Sequence, residues 1–104
     1  MKEFHVYHAP RLLLFTTSEE QVANFWAENR ADYIRVAVVD TETLDDVFRL
    51  TNHIDCAWWD NDGVQKVVDE ARSTSVGDVI CEIDGDSIKM YMVAAYGFTD
   101  ITNN

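Results

Sequence analysis

With 104 residues the chain is long enough for one domain with one buried core, and its 47% hydrophobic content argues against wholesale disorder. Its 19 acidic against 8 basic residues give a net charge of −11, and 13 of the acids fall between residues 40 and 86, where only 3 bases oppose them. Such a surface repels nucleic-acid backbones and anionic membranes, so a protein partner with a basic surface, or no partner at all, is the consistent expectation.

Met1 to Tyr7 lacks the apolar core of a signal peptide, and Leu12 to Phe15 is far too short to span a membrane. The expectation is a soluble protein of the cytoplasm. Cys56 and Cys81 fit no ligand spacing and read as reduced, small hydrophobes rather than a disulfide.

Phe4-His-Val-Tyr-His8 alternates as a strand would, and Pro10 interrupts it. Leu12-Leu-Leu-Phe15 reads as a strand buried on both faces. Ser18 with Gln21 forms a capping box for a helix reaching about Arg30, whose Val22, Phe25 and Trp26 share a face. Tyr33 to Val39 is β-branched and apolar, a strand near the middle of a sheet. Thr43 caps a second helix with Leu44, Val47, Phe48 and Thr51 on one side and Asn52 at its end. His53 to Gly63 is irregular. Val64 to Glu70 suits a short helix or a strand, and the helix is the reading adopted here.

The last third predicts a β-hairpin. With Asp84-Gly85 as a type I′ turn, Ile83 faces Asp86, Cys81 faces Ile88 and Val79 faces Met90. The tail after Phe98 is expected to fray. The whole predicts one α+β domain over residues 1–104. Its single mixed, mainly antiparallel sheet carries two or three helices in the order β-β-α-β-α-(α)-β-β.

Motifs for chemistry are scarce. Asp60-Asn-Asp-Gly63 resembles part of a calcium loop, but its first ligand position is Trp58, so a turn is the better explanation. His5 and His8 point to opposite faces of a strand, and Ser73, Thr74 and Ser75 lie in no nucleophile elbow. The scattered glycines form no phosphate loop. No catalytic residue, cofactor or metal site is assigned.

Two binding features remain. Trp58 and Trp59 sit adjacent in an acidic, turn-rich segment, and with Asp60, Asp62, Asp69 and Glu70 they form a candidate partner-binding patch. Alternatively Arg72, Ser73, Thr74 and Ser75 offer a guanidinium, hydroxyls and amides to a phosphate. The plainer account of that segment pairs Arg72 with a nearby acid and lets Ser73 to Ser75 lead into a strand.

Leu44 to Asp55, the Trp-Trp pair and Ala71-Arg-Ser-Thr-Ser-Val-Gly-Asp-Val-Ile80, with Tyr91-Met-Val93 and Gly97-Phe98 after them, resemble small uncharacterised proteins of phages and other mobile elements. The resemblance covers roughly residues 44–98. It implies an accessory protein, acting in the host cytoplasm if phage-encoded, and no established activity. Val-Gly-Asp-Val-Ile80 also looks like the start of a strand in small β-barrel RNA-binding domains of the PUA and ASCH type, which are usually more basic. The expected function is therefore a non-enzymatic acidic inhibitor or adaptor, in the extreme case a mimic of DNA charge. The alternative is a small nucleotide- or RNA-handling domain using Arg72 to Ser75.

Overall fold

Alternating Phe4, Val6 and His8 place one strand at the centre of the molecule. A computed structural model describes residues 2–10, 19–52, 57–69, 71–94 and 97–102. In it Lys2–His8 forms β1, flanked by β2 (Ile34–Thr41) and β4 (Val79–Asp84). β3 (Val64–Lys66) lies beyond β2, and β5 (Ser87–Val93) and β6 (Phe98–Asp100) lie beyond β4. The sheet runs β3-β2-β1-β4-β5-β6 and is open. The fold is α+β as expected, but every described pairing is antiparallel, so the sheet is not mixed.

Both faces of this sheet are packed. Val6 pairs with Ile80 and Tyr7 with Val79, and successive pairs point to opposite sides. On one side Phe4, Val6, Val39 and Ile80 meet Trp58 and Val47 of helix α2 (Leu44–Leu50). On the other, Val79 and Met92 meet Tyr33 and Trp26 of helix α1 (Glu19–Asn29). The pairing of β1 with β2 skips Val36, and this bulge buries Val36 and Ala37 in succession.

Thr43 caps α2 as its sequence predicts: its hydroxyl accepts from the Asp46 amide at 3.2 Å. The side-chain amide of Asn52 donates back to the Phe48 carbonyl at the other end. Ser18 and the strand expected at Leu12 to Phe15 lie outside the described residues.

Three further expectations change. Val64 begins a strand rather than a helix, because β2 offers an open edge and Val64 to Lys66 pair with Val39 to Ala37. Residues 99–102 do not fray: Ile101 is buried, and its amide donates to the Met90 carbonyl at 2.8 Å.

The hairpin exists, but its turn is Gly85-Asp86, so Ile83 faces Ile88, Cys81 faces Met90 and Val79 faces Met92. A type I′ turn would need Asp84 at positive φ. Among the described residues only glycines take positive φ, and Gly85 has +61°. Glycine first and aspartate second is the sign pattern of a type II′ turn. The slip is two residues, which keeps each side chain on its predicted face and leaves Cys81 buried.

Candidate functional site

The segment read as a phosphate site is built into the core. Asp78, fully buried just before β4, accepts from Arg72 Nη1 at 2.6 Å and Nη2 at 2.7 Å. It also accepts from the amides of Ala9 at 2.8 Å and Ser75 at 2.7 Å. Arg72 donates further to the carbonyls of Ser73 and Ala9. The Thr74 amide donates to the Thr51 carbonyl at 2.9 Å, and its hydroxyl lies 3.1 Å from His8 Nε2.

A phosphate would have to displace Asp78 from Arg72 and from the Ser75 amide. These groups tie the end of β1 to the start of β4, and Arg72 is paired with a nearby acid as the plainer account of the segment has it.

Titration follows from this burial. Desolvation lowers the His8 pKa to about 4 against the opposing pull of Asp78, with Arg72 adding to the depression. His8 is therefore neutral near pH 7, and its 3.7 Å approach to Asp78 is not an ion pair there. Tyr33, whose hydroxyl donates to the Gly77 carbonyl at 2.7 Å, is pushed well above the usual phenol range by burial and then by Asp78. Burial also pushes the free Cys81 thiol up, which disfavours the thiolate a nucleophile needs. Cys56 lies outside the described residues.

The two indoles divide. Trp58 is fully buried and its Nε1 donates to the Ala71 and Arg72 carbonyls, so it is core rather than contact surface. Trp59 is half-buried, packs edge-on against Trp58 at 5.2 Å, and has Lys66 Nζ 5.4 Å from its ring centroid. Asp60 and Asp62 are exposed beside it. Asp69 is exposed too, and its carbonyl accepts at 3.3 Å from Lys66 Nζ, the ammonium that lies over the Trp59 ring. Glu70 lies outside the described residues.

The register gathers acids that the sequence scatters. Thr41 pairs with Lys2 and Glu3 with Ile83, so the end of β2 and the β4–β5 turn share one end of the sheet. The turn into β3 joins them, since the Asp40 amide donates to the Gly63 carbonyl at 2.9 Å. Exposed Asp40, Glu42, Asp62, Asp84 and Asp86 therefore crown that end. Lys2, the base at this end of β1, is 3.3 Å from Glu82. Sequence spacing had no means of finding this set, because strand register alone assembles it.

Among the described residues no group of three or more His, Cys, Asp or Glu side chains is placed to hold a metal ion. His5 Nε2 lies 2.8 Å from Glu3 and its Nδ1 3.3 Å from Arg35, on the face opposite His8. No helix among those residues is long and apolar enough to cross a membrane. Comparison of the chain with known protein families, with curated proteins and with solved structures gives no match.

Proposed function

We propose that this chain is a non-enzymatic accessory protein that binds a basic protein surface through the acidic end of its sheet. The observation that carries the reading is the gathering of Asp40, Glu42, Asp62, Asp84 and Asp86 at one end, beside a β1 lysine already engaged by Glu82. Half-buried Trp59, next to the acidic turn, supplies an apolar anchor. Exposed charges contribute roughly 0–1 kcal/mol per pair, so the acids set association rate and salt sensitivity while the indole slows dissociation. Inhibition or adaptation of a host or viral protein is the mode of action, with charge imitation of DNA as its limiting form. An origin in a phage or other mobile element, and the host cytoplasm as the place of action, belong to the same proposal.

The test is capture of the partner from the source cell, followed by association rates across a salt series. Converting Asp40, Asp62, Asp84 and Asp86 to Asn together should slow association and flatten its salt dependence. Trp59→Ala should speed dissociation. If the protein instead binds RNA or a nucleotide, and Arg72→Ala abolishes this in a folded chain while the Asn variant does not, the proposal is wrong.

A further inference from the structure

Where the first turn of α2 faces the β5–β6 connection, the structure leaves a recess of about 160 Å³ lined by Asp45, Phe48, Val93, Ala94, Gly97 and Phe98. It holds one carboxylate and two phenyl rings among its walls, and among the described residues no lining side chain is cationic. The neighbouring carboxylate makes the contrast. Asp46 accepts from the Thr41 hydroxyl at 3.4 Å and from Arg49 at 3.5 Å, whereas exposed Asp45 has no hydrogen-bond or ion-pair partner among the described residues.

A lone surface carboxylate means little by itself. Beside apolar walls it completes a site for a long-stemmed cation. The methylenes of such a side chain lie against Val93, Ala94 and the phenyl rings while its head stays at the carboxylate near water. Aromatic faces attract cations as well. The volume decides the size of the guest: drug-sized and cofactor pockets run to about 300–1,000 Å³, so this recess takes one side chain and not a nucleotide.

We propose that the recess receives a single arginine side chain from the basic partner. Arginine is preferred to lysine because its planar fork pairs with a carboxylate through two bonds and stacks on phenyl rings. The inference rests on the reading of the chain as a binder of basic proteins and adds the side chain that such a partner inserts. It also ties the recess to the acidic end, since Asp46 of the same turn reaches Thr41 at the end of β2.

The test titrates the ¹⁵N-labelled chain at low salt with Nα-acetyl-arginine amide, and separately with the lysine amide and the neutral citrulline amide. Saturable shifts should centre on Asp45, Phe48, Ala94, Gly97 and Phe98, arginine binding tightest and citrulline not at all. Asp45→Asn should weaken arginine binding about fivefold, while Asp32→Asn, an exposed acid elsewhere, should stay within about twofold. Shifts that follow total charge, equal in the two variants, would overturn the inference, as would absence of saturation. A hexa-arginine peptide separates the two readings. If it binds the Asp45→Asn chain as it binds the native one, with the same salt dependence, the recess falls and the acidic surface stands. If it binds neither chain, both fall.

Discussion

Asp78→Ala tests whether the Arg72 segment is structural. The carboxylate is fully buried and accepts from two guanidinium nitrogens and from the Ala9 and Ser75 amides. Removing one partner of a buried ion pair costs about 3–5 kcal/mol, and each buried amide left without an acceptor costs about 1–3 kcal/mol. The terms overlap, and Arg72 keeps 28% of its side-chain surface in water, so about 5 kcal/mol is the expected total. Domains of this size are stable by only about 5–15 kcal/mol, so the variant should be close to unfolded. Asp78→Asn keeps an acceptor for one amide and should lose about half as much. Urea unfolding followed by tryptophan fluorescence and far-UV circular dichroism measures both. Arg72→Ala combined with Asp78→Ala should cost less than the two changes summed, because no orphaned charge remains. Asp78→Ala within about 1 kcal/mol of the native chain would refute the reasoning, since buried pairs cannot be broken that cheaply.

Further outcomes follow from other contacts. His8 has an ordinary pKa of 6.5 and a folded value of about 4, so between these values the unfolded chain binds the proton and the folded chain resists it. Its contribution, on the order of 3 kcal/mol, is full above about pH 6.5 and lost as the pH falls toward 4, and His8→Gln should flatten the urea midpoint across that window. Gly63 has φ +82°, and an added Cβ would sit 2.9 Å from the Asp40 carbonyl oxygen, whereas a Cβ at Gly85 meets nothing within 4 Å. Gly63→Ala should therefore cost about 2–3 kcal/mol in thermal or urea melts and Gly85→Ala about 1. Trp58→Ala should lose about 3–5 kcal/mol and Trp59→Ala about 1, because only the first is fully buried.

The local elements were the legible part of this sequence. The Thr43 cap with Leu44 and Val47, and the β-branched run through Val39, specify a helix and a strand by neighbours a few residues away. The hairpin was legible in face but not in register: Asp84-Gly85 and Gly85-Asp86 suit a two-residue turn equally by composition, and a slip of two residues leaves the alternation unchanged. The segment Val64 to Glu70 is ambiguous because its three valines, Val64, Val67 and Val68, fit either state, and the partner that decides for a strand at Val64, the edge of β2, is some 25 residues earlier. β6 has no local signature at all and exists through its pairing with β5. In the candidate site, Arg72 and Asp78 are close enough in sequence for their pairing to be foreseen. Their burial is not, because Ala9 and His8 arrive from the other end of the chain. The acidic crown and the Asp45 recess were invisible for the same reason: each is assembled from segments that only the register and the helix placement bring together.

The same charges bear on stability and on binding with opposite signs, which gives a last test. A chain of net charge −11 repels itself when folded, and the repulsion reaches across a body of 33 × 31 × 24 Å only when screening is weak. The Debye length is about 30 Å at 0.01 M salt and about 8 Å at 0.15 M, so the first condition couples acids across the molecule and the second only near neighbours. Raising salt over that range should therefore stabilise the native chain against urea, and the gain should shrink when Asp40, Asp62, Asp84 and Asp86 are neutralised. Partner association should weaken over the same range. The Arg72–Asp78 pair contributes little to either trend, because Asp78 is shielded from solvent ions. A fall in stability with salt would show that attractive surface pairs such as Lys2 with Glu82 outweigh the repulsion. The acidic end would then be neutralised from within, with no excess charge left to recruit a basic partner.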